Sequence, residues 1–400
     1  MDHSSHSAAS GRALFLLAVC AGLGVANVYY LQPSLFVIQS DLGGSPEQVG
    51  WLPTATQLSY ALGMLLLAPL GDVIRRRRLI LAKSAVLVVA LLAAWRAPTL
   101  DVLILSSAVV GLLGSVGQDF VPAAAQLAPE KSRGRAVGTV TMGLLSGILL
   151  SRTLGGWVAD LFGWREMQLV AAGLMLVVMM ITRFAVPDTE PAHSSSYGAL
   201  LGSLWTFWRD SRELRLSVIV QALLAATLGA FWSCLALVLA APPFQFGAGV
   251  AGSYGIAGVV GALAAPMFGH LADRRGPLLA IRVGCAFVIV AFVGMTLAPP
   301  SWWIIAIGAV LFDLGVMAGF VSHQALVGGI NPQARSRLNG LLMTGATVGM
   351  AAGAAIGSLA WAHAGSAGLF GFAALAGAAA LLFSFLHQPF SKAQHAAANQ

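Results

Sequence analysis

Charged residues are scarce in this chain. Of its 400 residues only 9% are Asp, Glu, Lys or Arg, whereas 58% are hydrophobic. A soluble domain carries about 25% charged residues. So few charges could not cover the surface of a soluble protein of this size, and the composition predicts that lipid replaces water over much of it.

Disulfide and nucleic-acid signatures are lacking too. The three cysteines, Cys20, Cys234 and Cys285, are far apart, odd in number and each set in an apolar run, so they give no disulfide framework. The net charge of +7 comes from basic residues in short loops, without a recognition helix or an RNA-binding signature. We therefore expect no nucleic-acid partner.

Motifs for catalysis and for ATP are absent as well. The sequence has no G-x-S-x-G, no H-E-x-x-H and no Walker lysine motif. Gly247, Gly249 and Gly252 satisfy G-x-G-x-x-G, but they open an apolar run and follow no strand, so they predict no nucleotide site. We expect no enzymatic activity, no metal site and no bound cofactor.

Apolar runs of about 20 residues, the length that crosses a bilayer, recur along the chain. They predict an all-α membrane protein with twelve transmembrane helices, near 13–36, 48–69, 79–97, 102–125, 137–159, 166–185, 216–240, 248–269, 278–298, 302–327, 339–361 and 368–387. The expected organisation is a disordered cytoplasmic tail (1–12), a six-helix half (13–186), a cytoplasmic linker (187–215), a second six-helix half (216–388) and a cytoplasmic tail (389–400). Within the linker, apolar residues at helical spacing predict an interfacial helix: Leu200, Leu204, Trp205 and Trp208.

Positive charge predicts the orientation. With the N-terminus in the cytoplasm, only Arg96 and Arg165 of the 22 Lys and Arg residues lie outside, and Arg152 lies within a span. All the others, Lys83 included, fall on the cytoplasmic side. We therefore expect a multi-pass protein with both termini in the cytoplasm, and the lack of an organelle signal favours a bacterial cytoplasmic (inner) membrane.

The two halves contain a repeat. Leu70 and Asp72 match Leu271 and Asp273 at an offset of 201 positions. At an offset of 202 positions, two arginines and four glycines recur: Arg133, Arg135, Gly138, Gly143, Gly147 and Gly155 match Arg335, Arg337, Gly340, Gly345, Gly349 and Gly357. Parallel repeats of six spans are a known plan of secondary transporters.

Both copies of the first loop resemble the loop motif of the major facilitator superfamily, G-x-L-A-D-R-x-G-R-R. The second copy carries Gly269, Leu271, Ala272, Asp273, Arg274 and Gly276, and the first keeps Asp72 and its arginine run but has Ala68 and Arg75 at the two glycine positions. The resemblance covers about residues 12–388 and implies that superfamily's fold of two pseudo-symmetric six-helix halves.

In the family this loop latches one conformation. An aspartate at a helix end beside arginines forms charge-assisted hydrogen bonds that can break and re-form when helices slide. The resemblance thus implies a set of latch residues: Asp72, Arg75, Arg76, Gly269, Asp273 and Arg274. Alternatively, these arginines only enforce the topology.

Span 5 resembles the proton-driven drug exporters of the superfamily, which carry G-x8-G-x3-G-P-x2-G-G there. Gly138, Gly147, Gly155 and Gly156 keep that spacing, but Ser151 and Arg152 replace the Gly-Pro pair. Small residues let helices approach closely. We expect this face to pack one half against the other, and we count Gly349 and Gly357 among the packing glycines.

Three ionised groups lie within predicted spans, where an Asp or Arg costs about 2.5–3.5 kcal/mol. By the helical rise, Arg152 and Asp313 lie roughly 26 Å and 27 Å from their inner loops, and Asp119 about 16 Å. In the superfamily, spans 1, 4, 7 and 10 line a central cavity with span 5 beside it. We favour an Arg152–Asp313 pair across that cavity, closed in one state and broken by proton or substrate in another. The alternative is a pair of Arg152 with Asp119 within one half.

His323 is the fourth member of this candidate proton and charge network, with a structural, hydrogen-bonded histidine as the alternative. Polar and aromatic residues at helical spacing form the candidate substrate cavity: Asn27, Tyr30, Gln57, Tyr60, Gln118, Gln221, Trp232, Met317, Phe320 and Gln324. A cavity with amides, aromatics and few charges suits a neutral or lipophilic substrate.

These observations favour a secondary transporter, a proton-driven antiporter that exports small neutral or amphipathic, drug-like compounds by alternating access. The proton gradient is its expected energy source and a monomer its expected form. The alternative is a facilitator or importer of sugars or small metabolites. A non-transporting membrane receptor is a third hypothesis, which the short loops disfavour.

Overall fold

The structure is a computed structural model that describes residues 11–129, 132–188, 197–256, 274–331 and 334–387. Within these ranges all regular structure is helical. Eight helical segments among them are long and apolar enough to cross a membrane. The predicted all-α membrane fold is confirmed.

In its described residues the first half contains eight α-helices, which account for six spans. They are α1 (Gly11–Ala26), α2 (Leu35–Leu42), α3 (Pro46–Leu62), α4 (Arg76–Trp95), α5 (Leu100–Gly114), α6 (Val116–Leu127), α7 (Arg133–Phe162) and α8 (Trp164–Ala185). Local chemistry sets several boundaries. Ser45 and Gln48 form a capping box at the start of α3, and Gly163, at φ 107°, separates α7 from α8.

The linker and the second half continue with α9 (Tyr197–Asp210), α10 (Arg212–Ala240), α11 (Ala248–Ser253), α12 (Pro277–Leu297), α13 (Trp302–Ile330) and α14 (Arg335–Ser384). The last helix holds two spans, because Ala364 and Gly365 leave helical geometry and Gly365 adopts φ 56°. The linker forms the predicted helix, with Trp205 exposed. Most of the predicted span near 248–269, residues 1–10 of the first predicted tail and the whole second tail lie outside the described residues, and residues 11 and 12 of the first tail belong to α1.

The sequence repeat corresponds to a repeat in packing. A Cβ added at Gly143, Gly147 or Gly155 of α7 would collide with the backbone of Ala18, Gly22 or Tyr30 in the first span. In the second half, a Cβ added at Gly349 of α14 would collide with the backbone of Ala222 in α10, one at Gly345 with the Val218 side chain, and one at Gly357 with the Cβ and Cα atoms of Ala230. The contact residues in α10 lie about 200 positions after Ala18, Gly22 and Tyr30, the contact residues in the first span. The same contact between a glycine face and a neighbouring span therefore occurs in both halves.

The expected role of the glycine face needs a correction. Gly147 and Gly155 pack against the first span of their own half, as Gly349 and Gly357 do in theirs. Gly138 has open space on the side where a Cβ would stand. Only Gly156 among the four in α7 meets the other half, at Ala248 and Gly252. The face mainly holds each half together, because the spans it joins are the first and fifth of one bundle.

We expect Gly147→Val to destabilise the protein and Gly138→Val to leave its stability nearly unchanged. The valine side chain at position 147 would force α7 off Gly22, and overpacking of this kind costs about 1–3 kcal/mol. Both substitutions change helix propensity by the same amount, so the difference in stability between the two variants reports the effect of packing alone. The thermal midpoint of the purified protein measures this, and equal midpoints for the two variants would contradict the packing account.

Candidate functional site

A central cavity lies where the two halves face each other. It has a volume of about 150 Å³ and is lined by residues of both halves, among them Tyr29 and Arg152 from the first and Trp232, Asp313 and Met317 from the second. Most of its remaining lining is aliphatic or Met. One basic and one acidic side chain thus enter a largely apolar chamber from opposite halves.

Arg152 is held by contacts of two kinds. Its Nε donates to Gln32 Oε1 at 2.9 Å, and its Nη1 donates to the carbonyl oxygen of Ile148 at 3.2 Å. The guanidinium carbon lies 4.7 Å from the ring centroids of both Tyr29 and Trp232. Because the ring faces are electron-rich, one aromatic side chain from each half stabilises the buried cation.

Asp313 has a different environment. Its residue is only 7% exposed, and its Oδ1 is buried without a hydrogen-bond partner in the described part of the chain. Asp313 and Arg152 share the cavity, but their charged atoms form no ion pair among the described residues. An Arg152–Asp313 ion pair therefore stays a prediction for another conformation of the protein. In this conformation both side chains line the same cavity.

The alternative partner of Arg152 is excluded in this structure, because Asp119 pairs with Lys83. The Lys83 Nζ lies 2.7 Å from Asp119 Oδ2, and the two side chains are 4% and 1% exposed. Lys83, which the charge pattern assigned to the cytoplasmic side, is therefore not a loop residue in contact with water but a buried member of an ion pair. α4 begins at Arg76, so Lys83 lies about two turns inside the helix, where it contacts α6.

The predicted cavity residues divide into several groups. Trp232 and Met317 line the central cavity. Gln118 Nε2 donates to Tyr60 Oη at 2.9 Å within the first half, and Gln118 also lines a second cavity described below. The other members line neither cavity: Asn27, Tyr30, Gln57 and Gln221 are buried, and Phe320 and Gln324 are half-buried on α13.

Polar contacts explain two of these buried residues. The Asn27 amide donates to the carbonyl oxygens of Leu23 and Gly24 in its own helix, at 2.8 Å and 3.1 Å. His323 Nδ1 lies 3.0 Å from Gln221 Oε1, which joins α13 to α10. His323 does not line the cavity that Asp313 and Arg152 share, and its place in the proton and charge network stays a prediction.

Tyr29 and Gln32 were missed from the sequence. The predicted stripe followed a continuous helix through Asn27 and Tyr30, but α1 ends at Ala26 and the chain runs irregularly to a 3-10 turn at Gln32–Ser34. The change in geometry turns Tyr29 and Gln32, instead of the next helical positions, towards Arg152. No periodicity in the sequence could have shown this.

A second cavity, of about 330 Å³, lies between the halves at the end of the bundle where α4 begins. It is lined by Asp72, Arg76, Gln118 and Asp119 of the first half, by Arg337 and Asn339 of the second, and by Leu200 and Leu204 of α9. The linker helix contacts both halves here, since Tyr197 Oη donates to the Leu66 carbonyl oxygen and Arg337 donates to Ser203.

Of the predicted latch residues, Asp72 and Arg76 form an ion pair at 3.1 Å, and Arg76 also donates to the carbonyl oxygen of Gly71 at 3.1 Å. Arg75 and Arg77 approach Asp188, at the end of the same half, at 3.5 Å and 3.2 Å. Gly269 and Asp273 lie outside the described residues, and Arg274 is exposed.

The opposite end of the bundle is closed by contacts between the halves. Asp160 of α7 accepts hydrogen bonds from the backbone N–H groups of Ala248 and Gly249, at 2.9 Å and 2.6 Å. Beside it, Thr153 Oγ1 donates to the Gly252 carbonyl oxygen and Trp157 Nε1 donates to Ser253 Oγ. The predicted topology puts this closed end outside and the larger cavity on the cytoplasmic side.

Two bundles of helices enclose a shared central cavity. Contacts between the bundles close one end of this cavity, and a second cavity separates the bundles at the other end. This arrangement defines a multi-pass membrane transporter. The family profile of the major facilitator superfamily matches residues 14–328. The chain belongs to this superfamily, and the fold expected from the resemblance is confirmed.

Relatives and solved structures agree with this family. The chain is 36% identical over 373 residues to YgaY of Escherichia coli O157:H7, described as an uncharacterized transporter, and the match covers 93% of this chain and 94% of that protein. It is 26% identical over 251 residues to the multidrug resistance protein MdtG of Proteus mirabilis, with 60% of each covered. The crystal structure of the nucleoside transporter NupG superposes with a TM-score of 0.73 at 12% identity, over 94% of this chain and 98% of that one.

We expect Asp119→Asn to destabilise the protein by about 3–5 kcal/mol, because it leaves the buried Lys83 ammonium without a counter-ion. A double variant, Lys83→Met with Asp119→Leu, should recover most of that loss, since it removes both charges together. Unfolding of the two purified variants in detergent measures this. A double variant as unstable as Asp119→Asn would contradict the assignment of this ion pair.

We expect Asp160→Ala to open the closed end more often. Hydrogen bonds to a charged group contribute about 1.5–3 kcal/mol, so the loss should speed access to the central cavity by about tenfold or more. The test uses a protein in which the three native cysteines are replaced by alanine and a single cysteine is introduced by Met317→Cys. A membrane-impermeant maleimide is added outside intact cells that express this protein, and the rate at which it labels the new cysteine is measured. Asp101→Ala, at an exposed acid in α5, is the control, and equal labelling rates in all variants would contradict the proposed seal.

Proposed function

We propose that this chain is a proton-coupled exporter of small neutral or amphipathic, drug-like compounds, which works by alternating access. The observation that carries the proposal is the shared cavity of Arg152 and Asp313. Each comes from a different half, and neither is paired with the other in this arrangement. Their attraction therefore depends on how the halves are placed, as a coupling mechanism requires.

The chemistry of Asp313 supports proton coupling. An ionised Asp313 attracts Arg152 through a chamber of low polarity, where charge interactions are stronger than in water. A protonated Asp313 exerts no such attraction, so protonation changes the relative free energy of arrangements that bring the two groups together. A ligand that can bind one state better than the other shifts the same equilibrium.

The cavity also supports the substrate class. Aliphatic residues and methionines form most of its lining, and Tyr29 and Trp232 add aromatic faces. Apolar walls with a few polar groups suit small amphipathic molecules and disfavour multiply charged ones. The likeness to a protein described as a multidrug resistance protein points in the same direction.

Alternating access would use the two ends of the bundle in turn. In the arrangement described above, the contacts of Asp160, Thr153 and Trp157 close one end, and the larger cavity separates the halves at the other. We propose that the closed end faces outward in a bacterial inner membrane, with both termini in the cytoplasm. We propose further that the protein acts as a monomer, binds no nucleic acid and no cofactor, and draws energy from the proton gradient.

We expect Asp313→Asn to remove the response of transport to a pH gradient. Asparagine resembles a protonated aspartate in size but does not titrate. With purified protein in liposomes and ethidium as the probe, an acidic interior should drive ethidium uptake by the wild type, and the variant should lose this by about tenfold or more. Asp101→Asn should behave as wild type.

The same assay separates the other readings. A pH response that is unchanged in Asp313→Asn would contradict the proposed coupling site. If the wild type moves ethidium only down the ethidium concentration gradient, at a rate that does not depend on the pH gradient, the protein is a facilitator. No movement of ethidium, of sugars or of nucleosides would favour a membrane protein that does not transport.

A further inference from the structure

The indole ring of Trp232 contacts both charged residues of the central cavity. The Arg152 guanidinium carbon lies 4.7 Å from the centroid of this ring, and the indole N–H makes a hydrogen-bond contact with the carboxyl group of Asp313. An indole nitrogen can only donate a hydrogen bond, and a carboxylate can only accept one. A single side chain of the second half thus offers its electron-rich face to the cation and its donor to the acid. This accounts for two opposite charges that share a cavity without pairing directly.

Aromatic neighbours fix this indole within the second half. Trp232 is buried, and Phe231 meets its ring edge to face with the centroids 5.2 Å apart. The ring of Phe312, on α13, lies 6.5 Å from the indole and 4.7 Å from Phe231. Because Phe312 directly precedes Asp313, one aromatic cluster fixes both the indole and the helix that carries the acid. The indole therefore moves with the second half.

The other contacts described for the Arg152 guanidinium come from the first half. Gln32 accepts a hydrogen bond from its Nε at 2.9 Å, the Ile148 carbonyl oxygen accepts one from Nη1, and the Tyr29 ring lies 4.7 Å away. Gln32 and Trp232 stand 200 positions apart, as do the first-span and α10 residues that meet the two glycine faces. A new placement of the halves therefore breaks the contact with Trp232 and leaves those with the first half.

The two contacts of the indole strengthen each other. An N–H that donates to an ionised carboxylate shifts electron density into the ring, and a more negative ring face attracts a cation more strongly. Protonation of Asp313 removes the charge that polarises the indole, so the contact with Arg152 weakens at the same time.

The pH response of this arrangement comes from one group. The charged and titratable side chains that line the cavity are Tyr29, Arg152 and Asp313, whereas His323 of α13 lies outside the lining. Of the three groups in the lining, only a carboxyl group normally changes its charge between neutral and acidic pH. We therefore assign the pH response to Asp313.

We infer that Trp232 is a positioning residue that links the charge of Asp313 to the placement of Arg152. With Asp313 ionised, the indole holds Arg152 against the second half and keeps the guanidinium off the carboxylate. With Asp313 protonated, this hold weakens, and Arg152 leaves with the first half when the halves move. The contact itself does not depend on transport, whereas its role in coupling rests on the proposed function.

The link is tested first without transport, by NMR of isotope-labelled indole nitrogens in the purified protein in nanodiscs. The Trp232 signal is the one that Trp232→Phe removes. We expect its N–H proton to shift upfield as the pH falls, because a hydrogen bond to a neutral acid is weaker than one to a carboxylate. Asp313→Asn should abolish this response. Arg152→Gln should move the signal, because it removes the cation over the ring.

Trp303 provides the matched control, since its side chain is exposed at the start of α13. Its indole signal, identified with Trp303→Phe, should not change in Asp313→Asn or in Arg152→Gln. A Trp232 signal that does not respond to pH in the wild type, or that responds equally in Asp313→Asn, would overturn the link.

The coupling role is tested in liposomes with ethidium and an isostere of tryptophan. Benzothienylalanine in place of Trp232 keeps the size and the face of the ring but carries sulfur instead of the N–H group. We expect it to slow ethidium uptake driven by a pH gradient about tenfold, the size of a typical coupling between sites. The KM for ethidium exchange at equal pH should stay within about twofold, because the shape of the cavity is unchanged. Benzothienylalanine in place of Trp303 should match the wild type in both assays.

The outcomes separate this inference from the proposed function. Parallel loss of exchange and driven uptake would indicate a structural role of Trp232 and overturn the inference. Driven uptake that is normal in the wild type and with the isostere overturns the coupling role and leaves the coupled exporter standing. Uptake that ignores the gradient in the wild type overturns the exporter and the coupling role together. In that case the NMR response alone still decides whether Trp232 links Asp313 to Arg152.

Discussion

An ionised side chain inside a bilayer is costly unless the fold provides a partner, and the partners found here differ in an instructive way. Asp119 neutralises Lys83 within the first half, so that pair can persist while the halves move. Arg152 is instead stabilised by one aromatic ring from each half, and Asp313 faces it without a hydrogen bond to its Oδ1. The energy of these two groups depends on the arrangement of the halves, which is where a proton or a substrate can act.

The packing of each half allows such movement. In both halves the first and fifth spans meet through glycines whose contacts leave no room for a side chain, so each bundle is tightly held together. Between the halves, α3 packs on α14, where Gly50 meets Ser358, and α7 meets the start of the second half near Asp160, while a cavity separates the halves at the other end. Each half thus has its own tight glycine contacts and its own buried ion pair or packed core, as expected for bundles that move as units.

The spans, the repeat and the shared level of Arg152 and Asp313 could be predicted because they follow from hydropathy, spacing and helical rise. The partner of Asp119 could not, because a lysine two turns into a helix has the same sequence signature as one at its end. Tyr29 and Gln32 escaped prediction since the chain leaves the helix after Ala26. The sequence also could not show which helix each glycine face packs against, because the spacing of residues along one helix does not identify the helix that lies beside it.

The central claim is that two rigid halves move about the Arg152–Asp313 cavity under the control of a proton. Pulsed electron-spin distances between the halves test it most directly, with labels on exposed Phe162 and Leu297 at one end and on exposed Phe184 and Leu382 at the other. The account predicts that acidification changes the two distances in opposite directions, and that Asp313→Asn holds them at their acidic values at every pH. Distances that do not respond to pH, or that respond equally in Asp313→Asn, would contradict it.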